Sequence, residues 1–273
     1  LGSNAYSWNS QSGPYYTVFD IDGPSVLPNI AAFLAGGNFV GAGEYYNGLV
    51  YMMDNSNTMY EVNPVTGAIQ NQYAVTAPPG GETYSGMAVD PTTGVVYASS
   101  TNVATSSLFS IVPSTGVATL VGPLTGSAGM IAISFDGAGD LYGYDIVSDS
   151  MYSINKANGA IVNLGALPFD ANFGQGMGYD PATDTVYLAA FNGGMFQAEL
   201  WTYNTGANTY AFMGVLGSVV PGGLNQLSWL GFADEPVVGP CTALSDIPWL
   251  SLDVTNGANA GSTNTVVTAT FDS

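Results

Sequence analysis

Apolar residues in this chain fall into short runs separated by clusters of Gly, Pro, Asn, Asp and Thr, and no stretch sustains a helical period. Runs of that kind between turn-forming residues predict β-strands. Two segments show the pattern most clearly. Gly86 to Tyr97 passes through an apolar stretch, an Asp90-Pro91-Thr92-Thr93-Gly94 turn and a second apolar stretch. Gly176 to Tyr187 does the same around Asp180-Pro181. Pro presets a negative φ, Gly permits a positive one, and Asp bonds nearby backbone amides, so each cluster is a turn with a mechanism.

The segments repeat. Tyr51, Tyr97, Tyr142 and Tyr187 mark equivalent places at intervals of 46, 45 and 45 residues. The corresponding turns are Asn47-Gly48 in the first unit and Asp136-Gly137-Ala138-Gly139-Asp140 in the third. Each unit continues with a third apolar run, at 59–62, 108–111, 151–154 and 200–203, then a second turn and a fourth run. Four short antiparallel strands at this period predict a β-propeller blade, because a β-helix needs shorter repeats and a string of sandwiches needs longer ones. Four units occupy residues 37–217. The pieces left over supply three N-terminal strands (5–8, 16–20 and 28–32) and one innermost strand (227–232). Together they form a composite fifth blade that latches the ring and removes open sheet edges. The expected fold is all-β: a five-bladed propeller over residues 1–236, with six blades as the fallback count.

From about Glu235 the pattern changes. Residues 237–273 end in a run, Val266 to Phe271, that alternates Thr with apolar residues, the signature of a half-buried strand. A sandwich domain takes about 100 residues and two sheets. These strands are therefore expected either to continue into chain beyond Ser273 or to complete a sheet in a neighbouring molecule. Cys241, Trp249, Val266 and Phe271 are the candidate assembly residues. Cys241 is the sole cysteine, so it stays free, pairs between chains, or pairs with a residue beyond Ser273.

Two resemblances follow from these motifs. The Asp-Pro-x-Thr-Gly turn with its Val-Tyr strand (Asp90 to Tyr97, matched by Asp180 to Tyr187) resembles the blades of secreted bacterial propellers. That resemblance implies an extracellular location, and it leaves stalk, adhesin, exported-enzyme domain and binding module all open. In the tail, Pro248-Trp249-Leu250-Ser251, the Gly261-Ser262-Thr263 turn and the run from Val266 resemble the opening of the immunoglobulin-like repeats of bacterial surface proteins. In such repeats a later cysteine often partners one near the start, which implies a mate for Cys241.

Charge narrows the function. The chain carries 20 Asp and Glu against one basic residue, Lys156, with no His and a net charge of −19. Nucleic-acid binding needs cations that neutralise phosphates, so nucleic acid is excluded as a partner, and anionic membrane surfaces are disfavoured. No apolar run is long enough to span a bilayer, so membrane insertion is not expected. Residues 1–10 lack the basic head and apolar run of a signal peptide. Without His, neither a Ser-His-Asp triad nor a His-ligated zinc site can be built. What remains is carboxylate, hydroxyl and carbonyl chemistry.

Those groups suit hard cations. Asp140, Asp145 and Asp149 are the metal candidates, with Ca²⁺ the only cofactor in view, although no EF-hand loop is present. Asp90, Asp136 and Asp180 recur once per unit and read as turn caps. A glycosidase would need two converging carboxylates. Glu44, Glu82 and Asp234 are the candidates, but the inner strands around them are apolar or glycine-rich. The tyrosines in register read as packing between blades. Tyr45, Tyr46, Tyr84 and Phe191 fall outside the register and are the sugar-contact candidates, while the loop from Thr101 to Ser107 is a candidate for O-linked glycans.

The expected function is non-enzymatic: an extracellular, cell-surface structural or adhesive scaffold, as a fibre subunit or a domain of a large surface protein. Its partner would be a neighbouring β-sandwich domain or an identical subunit, with glycans as further ligands. The alternatives are a carbohydrate- or Ca²⁺-binding propeller module of an exported protein and, third, a glycoside hydrolase. Near-absence of Lys and Arg also removes trypsin-type cleavage sites.

Overall fold

The computed structural model describes residues 3–10, 14–23, 27–31, 38–217 and 225–233, together with the backbone of two short strands further on. Strands β1 (Asn4–Asn9) and β2 (Tyr15–Asp20) open the chain as a hairpin. The first blade comprises β3 (Val40–Tyr46), β4 (Leu49–Asp54), β5 (Thr58–Val62) and β6 (Ile69–Ala74). The second comprises β7 (Thr83–Val89), β8 (Val96–Thr101), β9 (Ser106–Val112) and β10 (Val117–Pro123). The third is β11 (Met130–Phe135), β12 (Leu141–Asp145), β13 (Ser150–Ile154) and β14 (Ile161–Ala166). The fourth is β15 (Gly176–Asp180), β16 (Thr185–Asn192), β17 (Gln197–Asn204) and β18 (Thr209–Val215). Finally β19 (Gly231–Phe232) pairs with β1, placing Ala5 opposite Phe232, in a sheet ordered β19-β1-β2. The chain is an all-β, five-bladed propeller.

The ring closes because β3 lies against β7, β7 against β11, β11 against β15, β15 against β19, and β19 back against β3. Inner strands converge on the axis, so their backbones must approach closely, and glycine is the residue that allows it. A Cβ on Gly41 of β3 would sit 2.3 Å from the Tyr84 carbonyl oxygen of β7. One on Gly176 of β15 would sit 2.5 Å from the Trp229 carbonyl carbon of the closing blade.

Among the described residues the core divides into five clusters, one at each blade junction. Met53 and Met59 of the first blade pack with Met87, Val96 and Ile111 of the second, for example, and Ala5, Phe19 and Phe232 of the closing blade with Tyr187 and Leu200 of the fourth. The register tyrosines take part as expected. Tyr97 meets Phe135 of the third blade (5.5 Å between ring centroids), Tyr142 meets Tyr203 of the fourth (5.8 Å) and Tyr187 meets Phe232 of the closing blade (5.3 Å). Tyr51 joins the cluster shared with the second blade.

The closing blade departs from its expected strands at two places. Of the stretch expected at 28–32, the described part reduces to one bridge, with the Tyr16 N–H donating to Ala31 O (2.8 Å) and the Ile30 N–H to Tyr16 O (3.0 Å). Pro28 has no N–H with which to extend the ladder. The innermost segment is paired at both ends, Leu227 bridging Asn9 and β19 pairing with β1, with Trp229 between them. Trp229 turns its ring onto Gly43 of the first blade, where a Cβ would come within 2.5 Å of the indole. Ser7 Oγ donates to Trp229 O, and the Ser228 N–H to Trp8 O at 3.1 Å, so the two chain ends are held by more than the short ladder.

By its contacts the chain separates into two compact units, Leu1–Asp234 and Glu235–Ser273. In the second, β20 (Leu250–Leu252) pairs antiparallel with β21 (Ala269–Phe271), Leu250 opposite Phe271. Cys241, Trp249 and Val266 lie outside the described residues, and of Phe271 only the backbone pairing is described.

Candidate functional site

The recurring aspartates hold turns. Asp90 Oδ1 accepts the Thr92 amide (2.9 Å) and hydroxyl (2.7 Å), and Asp136 Oδ1 accepts the Ala138 and Asp140 amides (both 3.0 Å). Asp180 accepts the Ala182 amide (3.0 Å) and the Thr183 hydroxyl (2.8 Å). Asp90 does more. Its Oδ2 accepts the Lys156 ammonium at 2.6 Å, an ion pair between the second and third blades. Burial opposes ionisation of Asp90, but the Lys156 and Thr92 hydrogen bonds prevail and lower its pKa to about 2.

The metal candidates do not surround a common point. Asp145 is buried. Its carboxylate accepts Ser127 Oγ (2.5 Å) and the amides of Gly129 (2.8 Å), Val147 (2.6 Å) and Ser148 (2.9 Å). Those bonds outweigh burial and lower its pKa. Asp149 accepts the Ala171 amide at 2.8 Å, and Asp140 is exposed on its turn. Among the described residues, no three Asp, Glu, Cys or His side chains are grouped so as to hold a metal ion.

Of the hydrolase candidates, Glu44 and Glu82 lie towards opposite ends of the inner strands. Gly41 stands level with Tyr84, so Glu44 is three residues beyond that level and Glu82 two before it. Five strand residues correspond to about 15 Å, whereas a glycosidase pair is about 5 to 9.5 Å apart. Glu82 is buried and accepts Ser100 Oγ (2.5 Å) and Thr105 Oγ1 (2.7 Å). Glu44 lies with Ser134, Phe135, Tyr179 and Phe232 around a cavity of about 30 Å³ on the ring axis, room for a single water. Asp234 lies outside the described residues.

Two sugar-contact candidates prove to be core. Tyr84 packs edge-on against Phe109, with its hydroxyl donating to Thr76 O (2.8 Å), and Phe191 is buried under Phe173 and Phe196. Tyr45 stacks on Tyr6 and Tyr46 leans on Tyr51, all four rings part of blade packing. In the candidate glycan loop Thr101, Ser106 and Ser107 are buried. Thr101 Oγ1 donates to Ala128 O (2.9 Å), and Ser106 Oγ accepts the Met130 amide (3.0 Å).

A further opening lies elsewhere. A groove of about 580 Å³ lies where the third and fourth blades meet, lined by Asp136, Tyr179, Asp184, Tyr187, Tyr203 and Thr205 among others. Tyr179 donates to Asp184 Oδ1 at 2.9 Å. Burial, then that hydrogen bond and the charge of Asp184, push the Tyr179 phenol up to about 12, and burial next to Tyr142 does the same for Tyr203. Both therefore remain neutral donors at physiological pH. Sequence reasoning passed over Tyr179, Asp184 and Thr205. The available signal was the repeat itself, in which Thr205 occupies the position that Lys156 holds one unit earlier.

No family model and no curated protein matches the sequence. Solved structures do match the fold. A chain of the nidogen/laminin complex superposes with a TM-score of 0.55 at 12% identity, over 84% of this chain and 98% of that one. A structural-genomics protein of unknown function from Bacteroides thetaiotaomicron gives 0.53 at 14% identity, over 78% and 55%. Virginiamycin B lyase from Staphylococcus aureus gives 0.45 at 13% identity, over 74% and 67%, too remote to speak for chemistry. The first two likenesses speak for the fold alone and leave enzymatic status open.

Proposed function

We propose that this chain is an extracellular structural or adhesive scaffold module, a rigid disc that presents its faces to neighbouring proteins. One observation carries the reading: the inward and turn carboxylates that catalysis or metal binding would need are engaged in holding the ring. Glu82, Asp90 and Asp145 each accept internal hydrogen bonds, and Glu44 and Glu82 are offset by five residues along neighbouring inner strands. The near-absence of Lys and Arg suits a protein exposed to proteases outside the cell. The nidogen/laminin complex is a precedent for a propeller fold within a protein–protein assembly. The second unit, Glu235–Ser273, would provide the link to the next sandwich or subunit.

Antibody raised against the propeller unit tests the location and role together. Labelling of intact, unpermeabilised cells, and recovery of the chain with surface material, is the expected result. Labelling only after permeabilisation overturns the reading. Hydrolysis of any glycoside panel member, abolished by Glu44→Gln, would favour the hydrolase instead.

A further inference from the structure

The junction between the second and third blades is filled by Lys156. Its ammonium bonds Asp90 of the preceding blade (2.6 Å) and the Gly139 carbonyl (2.9 Å), and stands 5.5 Å from the centroid of the Phe135 ring. Carboxylate, carbonyl and aromatic face together are a complete receptor for a primary ammonium.

The repeat places a carboxylate and an aromatic residue at corresponding positions one blade further on, without the lysine. Asp136 precedes Tyr142 by six residues, where Asp90 precedes Tyr97 by seven. Tyr179 stands immediately before Asp180 as Phe135 stands before Asp136. Asp184 takes the left-handed turn position (φ 50°) that Gly139 takes (φ 80°), and so adds a second carboxylate. Thr205 follows Asn204 as Lys156 follows Asn155. The four residues converge: a Cβ on Gly137 would lie 2.5 Å from Tyr179 Oη and 2.6 Å from Asp184 Oδ1, and Asp136 and Thr205 share the groove with them. Where lysine fills the earlier junction, threonine leaves about 580 Å³ open to solvent.

We propose that this groove receives a primary ammonium group, the lysine side chain of a partner protein, which takes the place that Lys156 takes at the preceding junction. The one lysine of the sequence is already engaged and the net charge is −19, so a partner's ammonium is drawn by complementary charge. A divalent cation fits less well. Asp136 Oδ1 already accepts two amides and Asp184 Oδ1 a phenol, and among the described residues no third carboxylate is grouped with them. That the ammonium belongs to a protein rests on the scaffold reading; that the groove binds an ammonium does not.

Calorimetric titration of the full chain at low salt with Nα-acetyl-lysine N-methylamide, against its Nε-acetylated form, tests the site. The charged probe is expected to bind at least about tenfold more tightly than the neutral one, and Asp136→Asn, which keeps the turn acceptor, to weaken it about tenfold. Thr205→Lys is expected to abolish probe binding and to raise Tm by filling its own groove. Equal binding of both probes, binding by neither, undiminished binding in both Asp136→Asn and Thr205→Lys, or competition by Ca²⁺ at lower concentration than the amine overturns the proposal. Failure here leaves the surface-labelling result untouched, so the two readings fall separately.

Discussion

Lys156 Nζ stands 2.6 Å from Asp90 Oδ2, and the two side chains belong to neighbouring blades. Asp90 is almost wholly enclosed, whereas the lysine side chain keeps 35% of its surface exposed. Removing the lysine leaves a buried carboxylate with its Thr92 bonds but without its counter-charge. Lys156→Met should cost about 1–2 kcal/mol, reduced from the value of a fully buried pair by solvent screening. Urea denaturation measures it. An unchanged midpoint would show that the junction does not depend on the pair.

Acid should act through the same group. The pKa of Asp90 is lowered on folding, so its stabilisation is complete above the ordinary aspartate value of 3.8 and is lost as pH falls towards about 2. Asp54 and Asp145 are also lowered, with hydrogen bonds overriding burial, and contribute in the same direction. Thermal scans should show Tm flat near neutrality and falling below about pH 4. A Tm that rises on acidification would contradict this assignment, unless relief of net negative charge dominates; high salt, which screens the latter, separates the two.

Alkali has the opposite lever. Tyr144 is fully buried, and its phenol is pushed well above the ordinary tyrosine range by loss of solvent. A group whose folded pKa is raised stabilises the fold below its unfolded value and ceases to do so as pH rises through the folded one. Unfolding above about pH 10 should therefore coincide with a cooperative rise in tyrosinate absorbance, rather than follow gradual titration. Tyr144→Phe should be nearly neutral in packing. It removes hydrogen bonds to Gln175 Oε1 (3.1 Å) and Gly176 O (3.3 Å) and should cost about 1 kcal/mol.

Ring closure depends on Trp229. Its buried indole packs with Trp8, Val40 and Met52 at the seam between the closing and first blades. Trp229→Ala should cost about 3–5 kcal/mol and open the seam to protease before the rest of the ring. Uniform loss of protection across all blades in hydrogen exchange would show instead that the seam has no separate stability.

Gly41→Ala asks whether the inner strands tolerate any side chain. The new methyl would strike the Tyr84 carbonyl, a backbone atom that moves only with its strand. Overpacking of this kind costs about 1–3 kcal/mol, and a variant as stable as the parent would disprove the close approach.

The blade count and strand order were legible because the repeat places a tyrosine against the next blade at each step, and the turn residues are chemically specific. Tyr97 on Phe135 and Tyr142 on Tyr203 are that periodicity seen in three dimensions. The closing blade was legible only in outline. Its pairing joins Ala5 to Phe232, and nothing local in either segment encodes the two-residue ladder or the turn of Trp229 into its neighbour. Tyr84 and Phe191 failed as surface candidates because irregular spacing does not report burial: Phe109 packs on the first, and Phe173 and Phe196 on the second. The groove escaped notice for a different reason. It is defined by a substitution between repeats, Lys156 to Thr205, and becomes a cavity only when adjacent blades are brought together.

Because Ala5 must wait for Phe232, more than two hundred residues later, the ring cannot close until nearly the whole propeller has left the ribosome. The early blades will stack as an open arc, their flanks uncovered, until the last strand emerges, and contacts of such long sequence separation form slowly. The latch that makes the finished disc durable thus lengthens the time for which its precursor is vulnerable to misassembly.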